Sequence, residues 1–205
     1  MKAETVVSYI DGFNLYFGLK EMKWQRYYWM DMDSLSLNLL KKHQLLAKAH
    51  YFTSRITDNP DKQRRQNTFL EALRVVGTEP TYGKYRHNPY KCFRSNSVHM
   101  IPQEKMTDVA ITVQLLSDGY ANKYDTALII SGDIDLLPAI KHVRQRLIGK
   151  RVIMVFPPMR ANNEFNPPIT DGNYHIDERI CRKSQMPDIV KRSDGFELKR
   201  PVAWT

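Results

Sequence analysis

The chain has 205 residues, 42% of them apolar and 11% aromatic, which suits one folded domain with an ordinary core and excludes a disordered chain. No apolar run is long enough to span a bilayer, and the opening MKAETVVSYIDGF enters a strand with no signal-peptide anatomy, so a cytoplasmic protein is expected. A net charge of +9 gives a positive field that attracts nucleic acid or another polyanion.

From the start of the chain, residues 5–10 form a β-branched, aromatic run that predicts a first strand. It stops at Asp11-Gly12-Phe13-Asn14, a carboxylate at a strand end with a glycine that lets the backbone turn. The Asn14 amide there suits a water or a phosphate oxygen. Leu15, Leu19 and Met22 continue as a short helix. Residues 24–30 form an aromatic, basic connection that either packs its rings on the core or stacks bases. Asp33 or Ser34 then looks like the cap of a helix turning Leu35, Leu39 and Leu40 inward.

Residues 47–53 read as a second strand, and Phe69, Leu73 and Val76 mark an amphipathic helix over 61–76 that Gly77 ends. The cations at its start, Lys62, Arg64 and Arg65, read as a solvated face. Strands alternating with helices point to an α/β protein with a mainly parallel sheet. An insert at about residues 79–104 interleaves tyrosines with Lys84, Arg86, Lys91 and Arg94. That composition either stacks bases and neutralises phosphates or covers the sheet as a crossover. Asp108 follows in the first turns of a helix whose Val109, Val113 and Leu116 are expected to face inward.

The stretch DTALIISGDIDLLPAI, residues 125–140, organises the rest. A short apolar strand stops at Ser131-Gly132, and Asp133 and Asp135 follow just before Leu136, Ile140, Val143 and Leu147 recur at helical spacing. In an open parallel sheet this edge binds ligands. Two carboxylates so close predict a cation between them; the plainer alternative makes Asp135 a helix N-cap and Asp133 a solvated loop residue. Residues 151–156 read as the last buried strand and 161–172 as a loop. Residues 179–205, rich in lysine and arginine with little apolar periodicity, are expected to form a basic C-terminal extension, partly ordered at best. Cys92 and Cys181 make no metal-ligand or redox spacing and read as free thiols.

Three segments, YIDGFNLYFG, EKMTDVAITVQLL and IISGDIDLLPAI, resemble the signature segments of the NYN domain family, which is related to the PIN-domain nucleases. The resemblance covers residues 6–156, and RKSQMPD at 182–188 is similar to the end of many bacterial members. It implies a Rossmann-like α/β/α sandwich with a mainly parallel, PIN-like central sheet over residues 1–178 and an acidic metal site with a ribonuclease role. By position the acids are Asp11, Asp108, Asp133 and Asp135, holding Mg2+ or Mn2+, with Asn14 and Ser131 as polar helpers. Asp11 and Asp133 are expected as direct ligands, while Asp108 and Asp135 ligate directly or through water and help activate it. Lys84, Arg86, Lys91 and Arg94 are the expected RNA path, with the tail cations as competitors.

Gln114 stands where many members carry a further acid, which leaves one metal or two open. Cys92-Phe93-Arg94-Ser95 lacks a C-x-x-C pair, so no structural zinc is expected, and Ile134, between the two aspartates, is expected to face the core. RNA is the expected partner, without a membrane. The oligomeric state stays open, a homodimer included. Two other classes remain: a non-catalytic RNA-binding module, and an aromatic-ring hydroxylase like a few members of the family. No Gly-x-Gly-x-x-Gly follows any strand to support a dinucleotide site.

Overall fold

The computed structural model describes residues 3–57, 59–91 and 97–205, with the backbone alone for 85–91 and 98–105. The first half of the chain runs β1 (Glu4–Asp11), α1 (Gly12–Glu21), α2 (Met32–Leu37), β2 (Gln44–Thr53), α3 (Pro60–Val76), β3 (Pro80–Tyr82), β4 (Lys84–Lys91) and β5 (Val98–Lys105). The second half runs α4 (Thr107–Tyr120), β6 (Thr126–Ile130), α5 (Leu137–Arg146), β7 (Arg151–Phe156), β8 (Gly172–His175), α6 (Glu178–Lys183), β9 (Ile189–Lys191) and β10 (Glu197–Lys199). Six strands form one sheet in the order β3-β2-β1-β6-β7-β8, with every pairing parallel. The strand order reverses between β1 and β6, which makes their carboxyl ends the natural crevice of the fold. The pairs β4-β5 and β9-β10 are separate antiparallel ribbons.

Alternation along the strands builds a core on each face of the sheet. Val6 and Ile10 of β1, with Leu128 and Ile130 of β6, join Leu15 and Leu19 of α1 and Phe69, Leu70 and Leu73 of α3. Val7 and Tyr9, with Ala127 and Ile129, join Ile111 and Leu115 of α4 and Ile140 and Val143 of α5. The result is the α/β sandwich expected from the alternation of elements. Asn59 caps α3 by accepting from the Lys62 amide at 2.9 Å, and Gly77, at φ +113°, ends it in the left-handed region.

Several expectations need correction. Val109 and Val113 of α4 are 62% and 58% exposed, and Ile111 and Leu115 face the sheet instead. The helix carries two apolar stripes at the same spacing, and spacing does not say which one faces in. Ile134 is 42% exposed, because Leu136 takes the core position. Asp31, not Asp33 or Ser34, caps α2, accepting from the Asp33 amide at 3.0 Å. Of the two readings of residues 24–30, packing on the core holds for the rings of residues 27–29, with those of Tyr27 and Tyr28 also lining a cavity. β7 is the last buried strand of the sheet, as expected, and the more exposed β8 pairs with its outer edge. The tail is folded: Cys181, Met186, Val190 and Leu198 are buried in the same cluster as α3, and the Trp29 indole donates to the Pro187 carbonyl at 2.7 Å. Among the described residues, no helix is long and apolar enough to cross a membrane.

Candidate functional site

Parallel strands end at one edge, so β1 and β6, paired through Ile10 and Ile130, set Asp11 and Ser131 side by side. Asp11 is only 4% exposed and caps α1, with Oδ1 accepting from the Asn14 amide at 3.0 Å. Its Oδ2 accepts from the Ser131 hydroxyl at 2.9 Å, and that same hydroxyl accepts from the Asp133 amide at 3.1 Å. The Asn14 side-chain oxygen accepts from the Gly132 amide at 3.0 Å, tying the first turn of α1 to the loop after β6. Gly132 is required here, because a Cβ would lie 1.9 Å from the Arg160 carbonyl oxygen.

Asp133 caps the short helix leading into α5, accepting from the Asp135 amide at 3.0 Å, so the capping role falls on the first of the two aspartates. Asp108 enters from the first turn of α4, behind Met106, whose φ of +78° is strained for a side chain of that size. Ligand atoms of Asp11, Asp108 and Asp133 all lie within 4.8 Å of one another. Asp135 is exposed and outside that group. Burial, followed by the charges of Asp133 and Asp135, holds the Asp108 carboxyl above the usual carboxylate range. Three hard oxygen donors at this spacing suit a divalent cation.

A cleft of about 340 Å³ opens over the acids, walled by Phe13, Phe17, Thr107 and Arg160. Asn14, Asp133 and Arg160 also border a second, polar hollow formed with residues 159–169. Residues 5–166 match the model of the NYN domain family. The chain belongs to the NYN domain family. That membership places it with the PIN-like nucleases, in keeping with the acidic cluster. The NYN chain is 24% identical over 227 residues to 6-hydroxy-3-succinoylpyridine 3-monooxygenase HspA of Pseudomonas putida, spanning 89% of this chain and 70% of the relative. It also matches the crystal structure of a Vibrio parahaemolyticus protein of unknown function, with a TM-score of 0.58 and 21% identity, covering 86% of this chain and 95% of that one. The likeness to the Vibrio protein is one of fold.

Of the residues singled out in the NYN sequence, the fold gathers Asp11, Asn14, Asp108, Ser131 and Asp133. Ser131 is fully buried and its hydroxyl is engaged between two acids, whereas Asn14 lines the cleft. Lys84 is exposed at the base of the β4-β5 ribbon. The side chains of Arg86 and Lys91, and all of Cys92 and Arg94, lie outside the described residues. Sequence reading missed Arg160, which lines the cleft and pairs with Glu21. Its signal was its position just past β7, on the strand edge that already carried the acids.

Proposed function

We propose that this NYN domain is a metal-dependent ribonuclease that hydrolyses RNA phosphodiester bonds at Asp11, Asp108 and Asp133. The observation that carries the reading is the meeting of three carboxylates from three separate elements, within 4.8 Å, at the switch point of the sheet. Uncompensated, such a cluster is self-repelling; a cation gives it a reason. The three acids would hold Mg2+ or Mn2+, which when bound lowers the pKa of water and offsets charge developing on phosphate. Ser131 and the Asn14 amide aim the Asp11 oxygens. Asp108 and the exposed Asp135 take up the proton that the attacking water releases. Water forms the new bond to phosphorus as the sugar oxygen leaves, and no side chain becomes covalently attached. Arg160, which lines the cleft, would exchange Glu21 for the phosphate and counter the repulsion of the acids. The buried free thiol of Cys181 agrees with a cytoplasmic setting.

The test is a cleavage assay over RNA and DNA with Mg2+, Mn2+ or EDTA. RNA should be cut with either metal and left intact in EDTA, and Asp133→Asn should lower the rate by about 100-fold or more. RNA binding without cleavage under all metal conditions would replace the reading with a non-catalytic binder. The name of the Pseudomonas relative favours a second reading, hydroxylation of an aromatic ring. Consumption of a reduced nicotinamide or flavin with a pyridine substrate would support that reading against the first.

A further inference from the structure

On the other flank of α1, a cavity of about 270 Å³ opens at the same edge of the sheet as the acidic cleft. Its walls are aromatic. Tyr16 and Tyr28 stand 4.8 Å apart at 48°, and Trp204 meets Tyr28 at 5.7 Å and Phe69 at 6.0 Å, both edge-on. Close-packed interiors leave few voids larger than a water, and this one is smaller than the pockets that take drug-sized ligands. Its size fits one planar ring system.

The rim is cationic: Lys20, Lys62 and Arg65 border the cavity, and among the described residues no acid lines it. Among the described residues, neither Lys62 nor Arg65 forms an ion pair within the chain, whereas Arg64, one residue away, pairs with Asp61 at 3.4 Å. The Arg65 charge reaches the Tyr16 hydroxyl at the cavity wall. Phe13 lines both this cavity and the acidic cleft, and Gly12 of the cavity follows Asp11 directly in the chain. The first turn of α1 is therefore the partition between the two.

We propose that this cavity is a nucleotide subsite, in which a base stacks among Tyr16, Tyr28 and Trp204 while its phosphate meets Lys62 and Arg65. The assignment rests on the nuclease reading for its role, since a strand threaded past the acids would place a neighbouring base across the partition. Base stacking on aromatic rings is tolerant of sequence, so the subsite grips the strand without selecting one base.

The test needs no catalysis. Binding of a 5′-mononucleotide, the matching nucleoside and benzoate to the full chain is followed in EDTA by Trp204 fluorescence, with Trp204→Phe used to assign the signal. The mononucleotide should bind at least about tenfold more tightly than the nucleoside, because the phosphate adds charge-assisted bonds. Lys62→Glu with Arg65→Glu should remove that advantage, and Arg64→Glu should leave it intact. Equal binding of nucleoside and mononucleotide, tighter binding of benzoate, or indifference to the double substitution would each overturn the subsite. Mononucleotide binding that survives in a protein unable to cut any RNA would sink the nuclease reading and keep the subsite. Cleavage without mononucleotide binding would do the reverse.

Discussion

The Ser131 hydroxyl sits between two of the acids, donating to Asp11 and accepting from the Asp133 amide. Ser131→Ala would remove a hydrogen bond from Asp11 Oδ2 and leave the Asp133 amide without that acceptor. Removing a group that orients a metal ligand costs about 10–100-fold in metal affinity, whereas the hydrogen bonds themselves are worth only about 1 kcal/mol each to the fold. Titration calorimetry with Mn2+ should show the weaker site, with the urea midpoint lowered by no more than the loss of those two bonds accounts for; unchanged affinity would reduce Ser131 to packing. Asp108 gives a prediction of opposite sign. Its carboxyl is held above the usual range by burial and by Asp133 and Asp135. Without metal, the folded state therefore keeps a proton that the unfolded chain gives up near pH 3.9. Stability accordingly declines as pH rises from that value through the raised one, and stays lower above it. In EDTA at neutral pH, Asp108→Asn should melt higher than the wild type, and the gain should vanish in acid. Adding Mn2+ should stabilise the wild type and not the variant. A variant that melts lower in EDTA at pH 7 would show that the carboxylate is held by interactions stronger than the repulsion.

At the scale of elements, α4 is fixed to the sheet by a buried charge far from the cleft. Asp118, near its end, is 1% exposed and accepts from the Tyr9 hydroxyl at 3.0 Å, Gln114 at 2.9 Å and Lys123 at 3.1 Å, with His50 at 3.3 Å. Burial opposes its charge, but Gln114, Lys123 and Tyr9 outweigh it and hold the carboxyl below the usual range. Its contribution is thus present above the ordinary carboxylate range and lost as pH falls through the depressed value. Asp118→Ala would strand the Tyr9 hydroxyl and His50 in the core, for a loss of about 1–3 kcal/mol per stranded group in urea unfolding at pH 7. A loss under about 1 kcal/mol would class the network with exposed pairs. Gln114, whose side-chain amide donates to Asp118, serves this anchor, a use invisible in the sequence. The strand ends were legible because β-branched runs stop abruptly at Asp11-Gly12 and Ser131-Gly132, and parallel pairing carries such stops to one edge. The inward stripe of α4 was not, because Val109-Val113 and Ile111-Leu115 share one spacing and only packing on the sheet separates them.

Across the whole molecule, the +9 charge is unevenly committed. The tail was illegible because its buried residues, Cys181, Met186, Val190 and Leu198, follow no period and find their partners on α3 and around Trp29, more than a hundred residues earlier. Its cations from Lys191 onward are also spoken for. Arg192 pairs with Glu71 and Asp194 at 2.6 Å, Lys191 and Lys199 with Glu197, and Arg200 with Asp188 at 3.3 Å. Ending the chain after Asp188 would strip Val190 and Leu198 from the core, each worth roughly 1.5–3 kcal/mol, so truncation would report on folding rather than on RNA. Charge changes separate the two. Each phosphate of a single strand that a cation neutralises adds about 0.7 to the slope of log affinity against log salt. Lys191→Gln with Lys199→Gln should leave RNA affinity and that slope unchanged. Lys84→Glu with Arg86→Glu should weaken binding and flatten the slope by about 0.7 for each phosphate no longer neutralised, with turnover of bound RNA less affected. If the tail pair flattens the slope and the insert pair does not, the strand runs over the β9-β10 ribbon and the β4-β5 ribbon is a structural crossover.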